Sequence, residues 1–287
     1  MQNPVTPTGF CFAVLLLTNG KLCDIIYTHS ILSRLFNMKF LLEINNPEIK
    51  METFLWKDLL DEKICPHTYD TCTYQELPDY VSSHTCDTTI PLGSIMFTNR
   101  FLQLVHDIPQ MNPIEIPICL RHPRFLGRQY QIIREEDVPL EGYYFLKDAS
   151  SFKEMAYLGH LNSVDRNALH ADKYYVLSAP LDVLAEYRVY FIKGKVYAIE
   201  YYNGDPTCLP NCNIITQANI LYSQEASYPK SYTMDVMVTQ EGTFLTEIHP
   251  VLFSCGLYTT VLGIDFLDGY ADSLHYILHH NVPVTPT

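Results

Sequence analysis

An α+β fold is predicted for this 287-residue chain, on three observations. Short alternating apolar runs fill its second half, from "GYYFLKD" through "EYRVYFIKGKVYAIEYYNGD" to "YTMDVMVTQEGTFLTEIHP". Such period-two alternation places one face of a strand in a core. The order is strands, then a helix, then hairpins, without the strict βαβ alternation of a doubly wound sheet. Composition agrees: 21 tyrosines and 14 phenylalanines against a single tryptophan suit pleated surfaces.

Taken in order, residues 1–37 show no periodicity continuous with the segment after them and read as a peripheral N-terminal extension. "PVTPT" occurs at Pro4–Thr8 and again at Pro283–Thr287. "MKFLLEINN" begins with its own methionine, Met38, and reads as a first strand over Lys39 to Ile44. A chain starting at Met38 is therefore expected to stay folded. Residues 38–115 read as a smaller N-terminal α/β domain. It has a helix near Pro47 to Leu60, an irregular polar stretch to about Thr88, and a helix opening at about Ile95 after the Gly93-Ser94 break. The proline-rich "MNPIEIPICLRHPRF" reads as a linker and puts the domain boundary within 110–125.

Residues 116–287 form the second expected domain. "GYYFLKD" is a strand ending at Lys147-Asp148. "SFKEMAYLGHLNS" predicts an amphipathic helix, with Phe152, Met155, Ala156, Leu158 and Leu161 near helical spacing. "KYYVLSAPLD" is a strand running into a proline stop. One hairpin turns at Lys193-Gly194-Lys195 and the next at Glu241-Gly242. "LDGYADSLHYILHH" closes the chain as a helix.

The formal net charge of −13 repels a phosphate backbone, so nucleic acid is not an expected partner. A nucleotide is compatible, because a few local Lys and Arg residues with a divalent metal override the mean field. Nine scattered cysteines without framework spacing suit a reduced, cytoplasmic setting. "CLPNC", Cys208 to Cys212, lacks the second Cys or His pair that a zinc finger needs. The longest apolar run, Phe10 to Leu17, falls short of the roughly 20 residues of a membrane-spanning helix. No Lys or Arg precedes it, which disfavours a secretory signal. A soluble chain with no membrane partner is expected.

Chemistry concentrates in the second half. Lys147 stands at a strand end. Ser178, Ala179, Pro180 and Leu181 follow an apolar strand, where a proline-stopped backbone offers free N–H and C=O groups to an adenine edge. Arg188 and Asp205 bracket the first hairpin; Asp235, Glu247 and His249 sit on the second. Cationic side chains for phosphate oxygens, with hard oxygen ligands for a divalent ion, are what a nucleoside triphosphate requires. Alternation puts Glu247 and His249 on one face, and Glu-Ile-His-Pro ends the strand abruptly. No P-loop and no GxGxxG is present.

In this order, "FLKD", "LSAPLDVLAEYRVYFIKGKVYAIEYYNGD" and "YTMDVMVTQEGTFLTEIHP" resemble the ATP-grasp superfamily. Within it they are most similar to the divergent clade named for an arginine-to-lysine replacement, which includes eukaryotic factors that assist translation-initiation-factor assembly. The resemblance spans roughly Pro91 to Asp272. It implies an ATP-grasp fold, two α+β subdomains clasping a nucleotide, behind a pre-ATP-grasp α/β domain. It also implies that Lys147 contacts nucleotide phosphates, that Ser178 to Leu181 form the hinge over adenine, and that Asp182 lies near the ribose. Arg188 would face the transferred phosphate, Asp205 would close the hairpin beside the cofactor, and Arg128 would be a basic residue facing phosphate. Asp235 and Glu247 would hold Mg²⁺ or Mn²⁺. His249 stands where such enzymes usually carry asparagine, and it is a candidate third ligand.

The expected function is ATP- and Mg-dependent ligation of a carboxylate to an amine or thiol through an acylphosphate, on small substrates or on a peptide or protein. Lys147 and Arg188 are the expected catalytic cations, and no nucleophilic side chain is required. Alternatively, the protein is a nucleotide-binding assembly factor or chaperone with little catalysis. Alanine at Lys147 or Arg188 is expected to weaken Mg-ATP binding with the melting temperature nearly unchanged.

Overall fold

The computed structural model describes residues 37–108, 110–111, 115–149, 155–254, 256–257 and 263–280. Apart from Asn37, the expected extension lies outside these residues, as do both PVTPT segments. "KFLLE" forms β1 (Lys39–Glu43), the central strand of a parallel sheet ordered β2-β1-β3, with β2 at Thr68–Cys72 and β3 at Thr89–Leu92. Phe40, Leu41 and Leu42 are fully buried, as expected of a central parallel strand covered on both faces. Around the sheet run α1 (Lys50–Asp61), α2 (Leu77–Ser83) and α3 (Ile95–His106). The α3 start follows from Ser94, whose side chain accepts from the Phe97 amide at 3.1 Å. Asp107 ends the helix in the left-handed region at φ 57°.

The stretch expected to be irregular holds β2 and α2. β2, "TYDTC", is an edge strand with one buried residue, so no apolar run announces it. β3, "TIPL", contains Pro91, which confines it to the other edge. The described part of the expected linker is also structured. Its Ile118–Leu120 turn and α4 (Pro123–Leu126) bury Leu120, Phe125 and Leu126. Pro123 suits the first helical position, where its missing N–H is not needed.

Two four-stranded antiparallel sheets complete the strands among the described residues. One is ordered β4-β7-β5-β6, from Tyr130–Arg134, Tyr174–Ser178, Tyr143–Asp148 and Ala156–His160. The other is ordered β11-β10-β8-β9, from Thr243–His249, Tyr232–Val238, Ala185–Ile192 and Lys195–Gly204. The helix expected over residues 151–163 is corrected: Ala156–His160 is β6, paired antiparallel to β5 with Phe145 opposite Leu158. Its spacing fits a helix, but Gly159 weakens one, and β5 offers a row of backbone partners. Residues 151–154 lie outside those described. The first hairpin turns as expected, with Lys193 and Gly194 at φ 52° and 75°, the signs a tight two-residue turn requires.

Helix α5 (Cys212–Tyr222), unheralded by the sequence, buries Ile215, Ala218 and Tyr222 against β8 and β10 residues such as Phe191 and Tyr232. The closing helix α6 (Ile264–His280) buries Phe266, Leu267 and Tyr270. These pack in one cluster with Phe40, Trp56, Tyr190 and Ile192. The parallel sheet and the β8–β11 sheet therefore share a core. No described helix is long and apolar enough to cross a membrane.

Gly204 ends β9 at φ 91°, and a Cβ there would collide with the Leu184 carbonyl oxygen. Both the backbone angle and the space demand glycine. Gly204→Ala is expected to cost about 2 kcal/mol or more, read by chemical denaturation. A loss under about 0.5 kcal/mol, the range of neutral surface changes, would contradict this packing.

Candidate functional site

The site is built on the three strands β8, β10 and β11 of the second sheet. β10 is buried along its whole length, and its register places Asp235 opposite Arg188 of β8 on one side and Glu247 of β11 on the other. Pairing jumps from Asp235–Glu247 to Val236–Leu245, so Thr246 is the extra residue of a β-bulge. A second bulge lies between Glu186 and Tyr187, where the β9 partners jump from Asn203 to Tyr201. It leaves Tyr202 with its ring 5.9 Å from the Arg188 guanidinium.

Arg188 and Asp235 form a fork: Nε donates to Oδ1 at 2.8 Å and Nη2 to Oδ2 at 2.7 Å. The two residues are 6% and 3% exposed. Arg188 Nη1 also donates to the Gly256 carbonyl at 2.8 Å. Lys147 reaches across from β5 of the other sheet, its Nζ 2.5 Å from Glu247 Oε1. His249, 1% exposed, sets Nε2 3.2 Å from Glu247 Oε2 and 3.7 Å from Asp235 Oδ2. Two cations, two carboxylates and an imidazole thus converge from four strands.

Charge coupling follows from that convergence. Burial works against ionisation of Glu247, but the hydrogen bond with His249 and the Lys147 ammonium hold its carboxyl well below the usual range. Asp235 behaves likewise: the Arg188 fork and His249 outweigh burial and depress its pKa. Both acids stay charged. Burial, with Asp235 nearby, pushes the Tyr202 phenol far up, so it remains a neutral hydroxyl.

Beside this cluster opens a cleft of about 220 Å³. Phe145, Val176, Ile116, Tyr130 and Met237 provide apolar wall. Lys147, Glu247 and Arg128 line it, as does the run Ser178, Ala179, Pro180 and Leu181 at the end of β7. Arg128 is committed to the frame as well, since its Nη1 donates to the Leu126 and Leu245 carbonyls at 3.0 and 2.9 Å. Arg188, Asp235 and His249 stand behind Glu247 rather than in the lining.

Two expected residues fall elsewhere. Asp182 is exposed and outside the lining. Asp205 is exposed too; its carboxylate accepts from Thr207 N at 2.9 Å and Oγ1 at 2.7 Å, which stabilises the loop after β9. These bonds also lower its pKa. Cys208 and Cys212 are free thiols. Among the described residues, the one group of three or more potential metal ligands is Asp235, Glu247 and His249.

Three residues near the site escape a reading of the sequence: Glu186, Thr246 and Tyr202. Glu186 carries a signal, because it stands two positions before Arg188 on a strand. Thr246 and Tyr202 carry none, since bulges displace them from simple alternation.

The triad fits a divalent ion. One ligand atom from each of Asp235, Glu247 and His249 lies within 4.8 Å of the others, and carboxylate oxygens keep lone pairs beyond those used by Arg188 and Lys147. Two hard anionic ligands suit Mg²⁺, and the imidazole extends the donor set toward Mn²⁺.

Residues 125–261 match the model of a known family, the ATP-grasp domain of the arginine-to-lysine clade, family 2. This stretch is an ATP-grasp domain of that clade. Solved structures agree on the fold. N5-carboxyaminoimidazole synthetase from Staphylococcus aureus superposes with a TM-score of 0.52 at 11% identity, covering 83% of this chain and 78% of its own. D-cycloserine synthetase DcsG gives a TM-score of 0.50 at 8% identity, covering 85% of this chain and 100% of its own. No curated protein sequence matches significantly. In the ATP-grasp domain the two antiparallel sheets are the two halves that the fold expectation described, and the cleft adjoins residues of both.

Proposed function

We propose that the protein binds ATP with a divalent metal in this cleft and uses it to join a carboxylate to an amine or thiol through an acylphosphate. The single observation behind this reading is the meeting of Lys147 and Glu247 from opposite sheets at 2.5 Å, where the cleft adjoins the Arg188–Asp235–His249 cluster. Apolar walls suit a base, and the backbone after β7 would meet its edge, with the Ala179 amide already donating to the Gln129 carbonyl at 3.2 Å and Pro180 lacking an N–H. Lys147 and Arg128 face the phosphates. Arg188 is the second catalytic cation, held behind Glu247 by its fork to Asp235.

In this reading the chain contributes position and charge. The carboxylate substrate attacks the terminal phosphorus, the bond to the bridging oxygen breaks, and ADP leaves; the amine then displaces phosphate. Lys147 and Arg188 stabilise negative charge that spreads in the transition state. Asp235, Glu247 and His249 would hold the metal, which supplies charge neutralisation and polarisation of phosphoryl oxygens when bound. A peptide or protein is within the proposed substrate range.

The alternative, a nucleotide-binding assembly factor, is favoured by one feature: both metal-binding acids are already engaged by Lys147 and Arg188. The deciding experiment incubates the protein with Mg-ATP and a pool of carboxylates and amines. ADP with a ligated product is expected. AMP would replace the acylphosphate route by adenylation, and ATP binding without turnover would leave the assembly factor. His249→Asn is expected to keep Mg²⁺-supported binding and to reduce any preference for Mn²⁺, because imidazole is the ligand favouring the latter. Loss of binding with both metals would show that His249 acts otherwise than as a ligand.

A further inference from the structure

The last two turns of α6 carry His275, His279 and His280, which lie outside the cleft and take no part in the proposed reaction. His275 and His279 stand four residues apart, the spacing that sets two side chains side by side on one helix face. Both are exposed, whereas Leu274 and Ile277 of the same turns are buried in the core. Core packing therefore does not account for the two rings. They meet at 4.1 Å between centroids, with their planes 38° apart. His279 Nδ1 lies 2.7 Å from the His275 carbonyl oxygen. A carbonyl only accepts, so that nitrogen carries the hydrogen and the neutral ring keeps its lone pair on Nε2. A histidine that ligates a metal usually donates its other N–H in this way, which fixes its tautomer and ring orientation.

We propose that His275 and His279 chelate one divalent ion of the class that imidazole favours, Zn²⁺, Ni²⁺ or Cu²⁺. Two nitrogen ligands from adjacent turns leave the other coordination positions to water, which makes the site an exchangeable one. The charge of the helix supports a cation: α6 has Asp265, Asp268 and Asp272 and no Lys or Arg. His280 is not part of the pair. Its Nδ1 donates to the Tyr276 carbonyl at 3.2 Å, and its ring stacks on Tyr276 with 4.6 Å between centroids. The pair differs in kind from the cleft cluster, where Asp235 and Glu247 offer hard oxygens suited to Mg²⁺.

The test titrates the full chain with Ni²⁺ by calorimetry in excess Mg²⁺, and follows melting temperature with and without Ni²⁺. Wild type is compared with His275→Ala, His279→Ala, His280→Ala and Glu247→Gln. His275→Ala and His279→Ala are each expected to weaken Ni²⁺ binding about tenfold or more, because a second ligand on the same helix acts at high effective concentration. His280→Ala and Glu247→Gln should keep the wild-type affinity. Ni²⁺ should raise the melting temperature of wild type but not of His275→Ala or His279→Ala. Without metal these proteins should melt together, since both side chains are exposed. Wild-type affinity in either His275→Ala or His279→Ala overturns the proposal, as does a wild type that does not bind Ni²⁺. An equal loss in His280→Ala also overturns it, and so does an equal loss in Glu247→Gln, which would place the ion in the cleft.

Discussion

Asp235→Ala should destabilise the free protein by about 3–5 kcal/mol, the range for removing one partner of a buried ion pair. The reason is the charge it leaves behind. Arg188 is 6% exposed and would keep a buried guanidinium facing an empty carboxylate position, with the Gly256 carbonyl as a remaining acceptor. Arg188→Ala strands the Asp235 carboxylate in the same way, with His249 3.7 Å distant. The expectation that Arg188→Ala leaves the melting temperature nearly unchanged therefore gives way to a stability loss, because a surface-accessible phosphate cation and a buried fork differ in desolvation. An apolar replacement of both, Arg188→Met with Asp235→Leu, should recover most of the loss while abolishing nucleotide turnover. Equilibrium denaturation measures all three. A cost below about 1 kcal/mol for Asp235→Ala, typical of exposed pairs, would contradict the buried fork.

Lys147→Ala and Glu247→Gln should affect binding far more than stability. The Lys147 and Glu247 side chains are 12% and 29% exposed, so water screens part of the interaction that either loses. A charge-assisted hydrogen bond to phosphate contributes about 1.5–3 kcal/mol. Lys147→Ala should therefore reduce Mg-ATP affinity about 10- to 100-fold. Glu247→Gln removes one proposed anionic metal ligand and should abolish most of the difference between ATP affinity with and without Mg²⁺. Isothermal titration at matched ionic strength reads both. Unchanged affinity in both variants would remove the phosphate and metal roles together.

Legibility in the sequence tracks local pattern. β5, β7 and both later hairpins are readable because their apolar residues alternate and Gly194 and Gly242 mark the turns. β2 and β6 are not. Both are edge strands with little burial, and their place is decided by backbone pairing with a distant neighbour. Helix α5 is hidden beside the "CLPNC" segment, although Asn211 caps it through the Asn213 amide at 2.9 Å. Of the candidate site, Lys147, Glu247, Asp235, His249 and Arg188 lie together in the structure. That Arg188 lies behind Glu247 in a buried fork, and that Thr246 joins the lining, depends on strand register and bulges. No periodicity records either.

The most direct measurement is equilibrium binding of ATP to the wild-type protein, titrated with Mg²⁺ and again with a chelator. Saturable one-to-one binding that weakens by about tenfold or more without the metal is expected if the acids and cations around Glu247 take the proposed metal and phosphate roles. No measurable binding with Mg²⁺ present, by a protein with the melting transition of a folded chain, would contradict it.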